Sequence, residues 1–278
     1  MSKLSIESLI QKKLNSIPIT MLTAYSYPLA SIIDSAGVDI VLVGDSLANV
    51  ILGLKSTTSI TMDQMLYHTK AVRRAIENSL LIADMPFKGY QINVNDSLNN
   101  AKRFIDEAGC DGVKVEWFNR CPDVVKKIAS KGINVMAHIG LTPQTAERTG
   151  GFKVQGKDAN SAKHLIEQAL LLEDLGAFSI VLECVPDKLA KIITDKLKIP
   201  TIGIGAGADC DGQVLVTHDL LGLVKGFRPK FVKEYVNLYD QIKKAINHFK
   251  EDVEKRQFPT KDFSYTMDED EFKKIELG

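Results

Sequence analysis

Short apolar runs alternate with longer amphipathic stretches along most of the chain. The apolar runs are rich in β-branched residues and cover residues 18–24, 39–45, 80–85, 112–116, 134–139, 178–183 and 200–205, with a shorter and weaker run at 213–216. Continuous apolar runs of this length are typical of parallel strands that are buried on both faces. The pattern therefore predicts eight parallel strands.

The stretches between the runs have helical spacing. In residues 61–78, apolar positions recur every three or four residues, which keeps one face of a helix buried. The same spacing predicts helices at residues 27–36, 97–108, 122–130, 160–175, 186–196 and 231–254. Glycines that commonly end a helix with a positive φ stand at Gly37, Gly109, Gly132 and Gly176. Repeated βα units form either a closed barrel or an open doubly wound sheet, and the pattern alone leaves both open.

Composition and charge narrow the class of protein. The chain has 278 residues, 45% of them hydrophobic, and its 35 Lys and Arg are matched by 35 Asp and Glu. No excess of positive charge points to a nucleic acid or an anionic membrane as partner. Four cysteines without Cys-x-x-Cys spacing, no signal-peptide core and no apolar run near the roughly 18 residues of a membrane span indicate a cytoplasmic protein. We expect one barrel domain with a C-terminal helix at 1–257 and a polar, acidic tail at 258–278.

Acidic residues stand at the carboxyl ends of four predicted strands. They are Asp45, Asp84, Glu116 and Glu183, and His138 lies near the end of a fifth strand. One acid in such a position is commonly a helix cap or a turn residue. Four of them converge on one pocket if the sheet closes, because the carboxyl ends of barrel strands form the active face. Their repulsion then requires a cation, and oxygen ligands without thiolates favour Mg²⁺.

A metal held in this way indicates a type of reaction. Mg²⁺ leaves coordination positions for substrate oxygens, and a 2-oxo acid offers its carboxylate and its ketone. The ion would stabilise the enolate that forms when the proton next to the ketone is removed. The base must be an acid that the metal does not use. Glu183 is the candidate, because it lies across the barrel, in strand order, from Asp45, Asp84 and Glu116.

Two basic residues are candidates for the same pocket. Lys114 lies two residues before Glu116, and therefore on the same face of the strand. Nearby carboxylates raise the pKa of a lysine, so we favour a charged Lys114 that holds the substrate carboxylate or enolate over a Schiff-base lysine. His138 could relay a proton or bind substrate, and a buried, hydrogen-bonded histidine is an equal alternative.

A glycine-rich segment, Gly203-Ile204-Gly205-Ala206-Gly207, ends the seventh predicted strand. It resembles the phosphate-binding turns of other barrels, but it lacks both the Walker and the Rossmann spacing. Close backbone packing at a strand-to-loop turn is the favoured interpretation.

Five segments resemble the ketopantoate hydroxymethyltransferase family. In chain order they read MLTAY at 21–25, VGDSL at 43–47, DMPF at 84–87, HIGLTPQ at 138–144, and IGIGAG at 202–207 continuing through DGQVLV at 211–216. The resemblance implies an α/β protein, a (β/α)8 barrel of the phosphoenolpyruvate/pyruvate type, assembled as a homo-oligomer, usually a decamer. It also implies transfer of a one-carbon unit from 5,10-methylenetetrahydrofolate to 3-methyl-2-oxobutanoate through a Mg²⁺-stabilised enolate, giving 2-dehydropantoate in pantothenate biosynthesis.

The same resemblance implies roles for individual residues. Asp45 and Asp84 are expected to bind Mg²⁺, with Glu116 as the third acid of the metal site. Ser46 and Lys114 are expected to contact the 2-oxo acid, with Asp45 and Asp84 beside it. Glu183 matches the proton acceptor of the family, in agreement with the argument from strand order.

Departures from the family pattern are local. Ser26, Ala48 and Ala137 differ from the expected residues, and Trp117-Phe118 stands where we expect Gly-Gly. This last pair follows Glu116 directly, so it could narrow the pocket or change the folate contacts.

Two other functions fit parts of the pattern. A metal-dependent lyase of the same barrel group is one, but such lyases usually carry a cysteine in the loop after the fifth strand, and residues 140–156 contain none. A non-catalytic barrel that binds a metabolite is the other, and it predicts no loss of function in Glu183→Gln.

Overall fold

The computed structural model describes residues 3–145, 153–226 and 228–276. Within them, eight parallel strands close into a barrel in chain order, with the last strand paired to the first. The strands are β1 (Ile19–Thr23), β2 (Ile40–Val43), β3 (Leu80–Asp84), β4 (Gly112–Glu116), β5 (Val135–Gly140), β6 (Ala177–Glu183), β7 (Thr201–Ile204) and β8 (Gly212–Leu215). All the predicted strands are confirmed, and the sheet is closed.

Helices connect the strands and cover the outside of the barrel. Those in the described residues are α1 (Ile6–Leu14), α2 (Tyr27–Ser35), α3 (Leu47–Val50), α4 (Met62–Arg73), α5 (Phe87–Tyr90), α6 (Ser97–Asp106), α7 (Cys121–Ala129), α8 (Ala159–Asp174), α9 (Asp187–Lys196), α10 (Thr217–Leu220), α11 (Leu238–Glu254) and α12 (Glu269–Glu276). The four predicted cap glycines all have a positive φ, between 67° and 96°. None of the described helices is both long and apolar enough to cross a membrane.

One predicted helix begins later than expected. The pattern predicted a helix at 231–254, but α11 begins at Leu238 because the Asn237 side chain accepts a hydrogen bond from the backbone N–H of Asp240 and caps it. The residues before Leu238 are bonded to another segment, since the backbone N–H of Tyr235 donates to the carbonyl oxygen of Leu220 at the end of α10. The prediction of residues 231–237 as helical was wrong.

Two apolar layers hold the barrel together. The larger lies between the strands and the surrounding helices, and it includes Val41, Leu81, Val113 and Phe104. The smaller fills the barrel interior and includes Met21, Ile82, Met136 and Ile202. Successive residues of a strand point to opposite sides, so each strand contributes to both layers.

Helix α1, which the apolar pattern did not reveal, closes the amino-terminal end of the barrel. Its Leu9 is fully buried and packs into the interior layer with residues such as Ile19 and Ile40. Lys12 forms an ion pair with Asp39, and Lys13 forms one with Asp211 at 2.7 Å. The helix is short, and only Leu9 is buried within it, so it lacks the long apolar face by which the other helices were predicted.

Aspartates at the starts of strands tie the sheet to its neighbours at this same end. Asp39, Asp111 and Asp211 directly precede β2, β4 and β8. Their side chains accept hydrogen bonds of 2.8 to 2.9 Å from the backbone N–H groups of Thr20, Leu81 and Thr201 on adjacent strands. These acids therefore tie neighbouring strands together at the amino-terminal end of the barrel.

Helix α11 and the residues after it contribute little to this core. None of the side chains of α11 is buried, and Ile242, Ile246, Phe249 and Val253 are 44% to 60% exposed at three- and four-residue intervals. These four residues, the α11 stripe, form one apolar face of the helix, and among the described residues the Phe258 ring packs against its Phe249, with 5.6 Å between ring centroids.

Replacement of Leu9 tests the role of α1 as a seal. Leu9→Ala removes a fully buried side chain from the barrel interior and should lower the free energy of unfolding by about 2–5 kcal/mol. Leu14→Ala on the same helix is the control, because Leu14 is 68% exposed and its loss should cost under about 0.5 kcal/mol. Urea unfolding at one fixed protein concentration measures the free energy of unfolding of both variants. Equal losses would show that burial of Leu9 does not seal the barrel.

Candidate functional site

A cavity of about 810 Å³ opens at the carboxyl ends of the barrel strands. Every predicted site residue lines it, namely Asp45, Ser46, Asp84, Lys114, Glu116, His138 and Glu183. Asp45, Asp84, Lys114, Glu116 and His138 are each at most 6% exposed. The closed barrel thus brings together residues that are far apart in sequence.

Strand register determines which of these side chains are neighbours. Asp84 on β3 pairs with Lys114 on β4, and Glu116 on β4 pairs with His138 on β5. The Lys114 Nζ atom lies 3.0 Å from Asp84 Oδ1 and 3.2 Å from His138 Nδ1. A buried polar row therefore runs across three adjacent strands.

His138 lies between two acids. Its Nδ1 atom is 3.5 Å from Glu116 Oε1, and its Nε2 atom is 3.2 Å from Glu183 Oε2. The side chain is buried, as one interpretation expected, but its Nε2 atom makes no hydrogen bond of good geometry within the described residues. It also lines the cavity, as the other interpretation required. The contact of His138 with Glu183 bears on the chemistry of the site, because Glu183 is the candidate base.

Asp45 and Ser46 stand in the turn between β2 and α3. The backbone N–H of Asp45 donates a 2.9 Å hydrogen bond to Asp84 Oδ2, which places the two acids side by side. Ser46 Oγ is 2.6 Å from the phenol oxygen of the buried Tyr25. Both residues are thus fixed at the edge of the acidic cluster.

Gln144, which the sequence argument left without a role, joins two of the acids. Its side-chain Nε2 donates to Asp45 Oδ2 at 2.9 Å, and its backbone N–H donates to Glu116 Oε2 at 2.9 Å. Its Oε1 atom accepts hydrogen bonds from Tyr90 at 2.7 Å and from Gln91 at 3.0 Å. The amide is therefore oriented from one side and orients Asp45 on the other.

Tyr90 was also missed, although it supports the same cluster. Besides donating to Gln144, its hydroxyl accepts a 3.0 Å hydrogen bond from the backbone N–H of Glu116. The Phe118 ring packs edge-on against it at 5.5 Å between ring centroids. Trp117 and Phe118 belong to the core packing and are not part of the described cavity lining, so the expected narrowing is not seen.

The backbone around Glu183 is tightly constrained. Gly140 has a φ of 92°, and a Cβ atom there would overlap the carbonyl oxygen of Glu183. Cys184, directly after Glu183, has a φ of 49°, which is unusual for a residue with a side chain. Position 140 therefore requires glycine where β5 passes the end of the strand that carries Glu183.

The glycine-rich segment after β7 has the structural role that was favoured for it. Gly207 has a φ of 84°, and a Cβ atom there would lie 2.6 Å from the Cβ atom of Asp187. Close approach of the loop to the start of α9 accounts for this glycine.

Burial and mutual repulsion shift the pKa values of the acids. Burial, with the charges of Glu116 and Asp84, raises the pKa of Asp45 to about 7. Burial also raises the pKa of Asp84, although Lys114 opposes the shift. Burial acts to raise the pKa of Glu116 too, but the hydrogen bond and charge of His138 outweigh it and the pKa is lowered. The cluster holds more carboxylates than its cations compensate.

The two basic groups respond in the opposite direction. Burial alone would lower the pKa of Lys114, but Asp84, Glu116 and Asp45 raise it. Burial and Lys114 act to lower the pKa of His138, but its hydrogen bonds to Glu116 and Glu183 raise it to about 9. A charged Lys114 agrees with an anion-holding role rather than with a Schiff base.

The donor set fits a cation bound at Asp45 and Asp84. Among the described residues, no three His, Cys, Asp or Glu side chains enclose a metal position, so a closed protein cage is absent. Asp84 Oδ1 is buried, and its described contact is the ion pair with Lys114 at 3.0 Å. Mg²⁺ takes one or two carboxylates and completes its coordination with water and substrate. Glu116 already accepts a hydrogen bond from the backbone N–H of Gln144 and lies 3.5 Å from His138. It therefore lies beside the Asp45 and Asp84 pair as the third acid.

Comparison with known sequences gives one consistent result. The model of the family described as ketopantoate hydroxymethyltransferase matches residues 3–261. A relative from Syntrophomonas wolfei named 3-methyl-2-oxobutanoate hydroxymethyltransferase is 48% identical over 97% of this chain and 98% of its own length. One of the same name from Syntrophus aciditrophicus is 52% identical over 89% of this chain and 91% of its own length.

Solved structures with low sequence identity share the fold. A phosphoenolpyruvate phosphomutase from Streptomyces platensis subsp. rosaceus has a TM-score of 0.60 at 14% identity, covering 91% of this chain and 88% of that one. A 2,3-dimethylmalate lyase, described as a member of the PEP mutase/isocitrate lyase superfamily, has a TM-score of 0.56 at 16% identity, covering 98% of both chains. These likenesses show the same fold, and the expected closed (β/α)8 barrel is confirmed.

Gln144 offers a test of how the acids are held. Gln144→Leu removes the donor to Asp45 Oδ2 while keeping most of the side-chain volume, and it should weaken Mg²⁺ binding about tenfold or more. Gln11→Leu is the matched control, because it makes the same change at an exposed position of α1, at the opposite end of the barrel. Calorimetric titration with Mg²⁺ measures both dissociation constants. An unchanged constant in Gln144→Leu would remove this role.

Proposed function

The chain belongs to the ketopantoate hydroxymethyltransferase family, and from this membership and the geometry of the site we propose the reaction that it catalyses. It transfers a hydroxymethyl group from 5,10-methylenetetrahydrofolate to 3-methyl-2-oxobutanoate, giving 2-dehydropantoate and tetrahydrofolate in pantothenate biosynthesis. One water molecule balances the reaction and supplies the oxygen of the new hydroxyl group. The observation that carries the proposal is the position of Glu183, which faces His138 while Asp45 and Asp84 form a separate pair.

Asp45 and Asp84 are the residues that would hold Mg²⁺, with Glu116 as the third acid of the site. The bound ion would stabilise negative charge on the ketone oxygen of the substrate. Metal binding requires Asp45 to be ionised, although its pKa of about 7 in the metal-free site is high for an aspartate. Gln144 assists because its donated hydrogen bond favours the ionised form.

Ser46, Lys114 and His138 would bind the 2-oxo acid beside the metal. Lys114 supplies a buried positive charge within 3.0 Å of Asp84, so an anionic substrate that enters the cluster meets a cation that is already fixed. Ser46 is held by Tyr25 at the edge of the same cluster, where its hydroxyl can contact a substrate oxygen. Together these residues orient the substrate with its C3 carbon away from the metal pair.

Glu183 would accept the C3 proton. Its carboxylate is 14% exposed, which leaves it accessible from the cavity, and His138 Nε2 lies 3.2 Å from its Oε2 atom. The positive His138 holds one carboxylate oxygen, so the other is the one presented to the substrate. The constrained backbone at Gly140 and Cys184 keeps this direction fixed. The carbon that has lost its proton then forms the new C–C bond to the one-carbon unit.

Self-association and location complete the proposal. The α11 stripe stays 44% to 60% exposed although Phe258 packs against Phe249, and a second copy of the chain is the simplest cover for the rest, in agreement with a homo-oligomer, usually a decamer in this family. The barrel domain with its C-terminal helix would comprise residues 1–257, and residues 258–278 would form the polar, acidic tail, which includes α12. We place the enzyme in the cytoplasm, because its four cysteines are all free thiols.

Proton exchange tests the chemical proposal without the folate. In D₂O, the wild-type protein with Mg²⁺ should exchange the C3 proton of 3-methyl-2-oxobutanoate, and Glu183→Gln should reduce the rate by about a hundredfold or more because the base is lost. Glu167→Gln, which makes the same change at a side chain that is 73% exposed on α8, should exchange normally. Proton NMR follows the signal. Wild-type protein that is folded and metal-bound but inactive in exchange would contradict the assignment.

Introduction of charge into the α11 stripe tests self-association. Ile246→Glu places a carboxylate on the apolar face of α11 and should shift the protein towards smaller species. Asn247→Glu introduces the same charge about 100° further round the helix and is the control. Sedimentation velocity at several concentrations separates the outcomes, and an unchanged mass in Ile246→Glu would show that the stripe is not an interface.

A further inference from the structure

Tyr25, the last residue of the segment at 21–25, has no role in the proposed reaction, yet it is held firmly beside the site. It follows β1 and is 1% exposed. His68 Nδ1 lies 2.8 Å from its backbone carbonyl oxygen, and the His218 ring packs against its ring with 5.4 Å between centroids. Its hydroxyl lies 2.6 Å from Ser46 Oγ. Backbone, ring and hydroxyl are thus each in contact with a different segment.

The Ser46 hydroxyl lines the cavity and is not used to cap a helix. A serine that precedes a helix commonly accepts a hydrogen bond from a backbone N–H of the first turn. Within the described residues the Ser46 side chain makes no such bond to α3. Gly44 leaves room for the hydroxyl, because a Cβ atom there would lie 3.0 Å from Ser46 Oγ. The Ser46 hydroxyl is therefore placed between Tyr25 and the cavity.

The direction of the hydrogen bond between Tyr25 and Ser46 decides what Ser46 can bind. Two hydroxyls 2.6 Å apart share one hydrogen bond, and either can be the donor. If Ser46 donates, its proton is used inside the protein. If Tyr25 donates, the Ser46 proton is left for an acceptor in the cavity. An ionised carboxylate accepts hydrogen bonds and donates none, so only the second arrangement lets the Ser46 hydroxyl bind the carboxylate of a 2-oxo acid.

Thr23 and Thr217 favour the second arrangement. The backbone N–H of Thr217 donates to Thr23 Oγ1 at 3.0 Å, and a backbone N–H can only donate. The Thr23 hydroxyl keeps its own proton for the Tyr25 phenol, with which its side chain also interacts. Burial raises the pKa of Tyr25, so the phenol stays protonated, although hydrogen bonds with Ser46 and Thr23 act in the opposite direction. A protonated phenol that accepts from Thr23 has Ser46 Oγ as its acceptor.

We propose that Tyr25 is a positioning residue that donates its hydrogen bond to Ser46 Oγ and so leaves the Ser46 proton for the carboxylate of the 2-oxo acid. The inference rests on the proposed function, in which Ser46 contacts the 2-oxo acid, and deepens it by naming the group that makes Ser46 a donor. Consecutive hydrogen bonds polarise one another, so the bond from Tyr25 also strengthens the one that Ser46 donates. A hydrogen bond to a carboxylate is stronger than one between neutral groups, so its loss is measurable as lower affinity.

Tyr25→Phe removes the hydroxyl and keeps the buried ring. With Mg²⁺ present, the concentration of 3-methyl-2-oxobutanoate that half-saturates C3 proton exchange should rise about tenfold, because the Ser46 proton is no longer directed to the substrate. The maximal exchange rate should stay within about twofold, since Glu183 is unchanged. The Mg²⁺ dissociation constant from calorimetry should not change. Tyr265→Phe makes the same substitution at a fully exposed side chain and is the control.

Two further variants separate the direction of the hydrogen bond from packing. Ser46→Ala should raise the half-saturating concentration at least as much, and Tyr25→Phe added to it should have no further effect, because Tyr25 acts through Ser46. Replacement of Tyr25 by 3-fluorotyrosine makes the phenol a stronger donor and a weaker acceptor, so affinity for the 2-oxo acid should be kept or increased. This variant retains the phenol and decides the question if Tyr25→Phe does not fold. A further full loss in the double variant, or weaker affinity with 3-fluorotyrosine, would overturn the inference.

The remaining outcomes distinguish this inference from the function on which it rests. An unchanged half-saturating concentration in Tyr25→Phe, or a lower maximal rate at unchanged affinity, would overturn the role of Tyr25 while exchange by the parent still supports the enzyme activity. Absence of exchange in the parent would overturn the proposed function itself.

Discussion

Negative charge buried at one end of the barrel determines most of what surrounds it. Carboxylates from the ends of β3, β4 and β6 and from the turn after β2 meet in a volume from which water is largely excluded, with Lys114 and His138 between them. At such burial an uncompensated carboxylate is costly, and the raised pKa of Asp45 and Asp84 reflects that cost. The described site therefore carries negative charge that a bound cation would compensate.

Neutral side chains position the carboxylates at the carboxyl ends of the strands. Gln144 contacts Asp45 and Glu116, Tyr90 orients Gln144, and Phe118 packs against Tyr90, so the support extends from the acids outward into the core. A fully hydrogen-bonded network of this kind is rigid, because each member would leave a buried partner unsatisfied if it moved. At the amino-terminal end, by contrast, Asp39 and Asp211 are paired with lysines of α1 and serve stability.

The strands and the charged site residues were predictable because their signals are local. A buried parallel strand is a continuous apolar run, and an acid at its end is visible as a break in that run, as at Asp84 and Glu116. Tyr90 and Gln144 carry no such signal, since their roles depend on contacts between segments 54 residues apart. Helix α1 was not predicted for a similar reason. Only Leu9 within it is buried, and its stability comes from contacts with the barrel end that it covers.

Because α1 and the apolar interior close the amino-terminal end of the barrel, the described part of the cavity opens at the carboxyl ends of the strands. Two ligands that occupy the cavity together therefore approach from the same side of the molecule. The closure of the barrel thus gives both reactants one common face for entry.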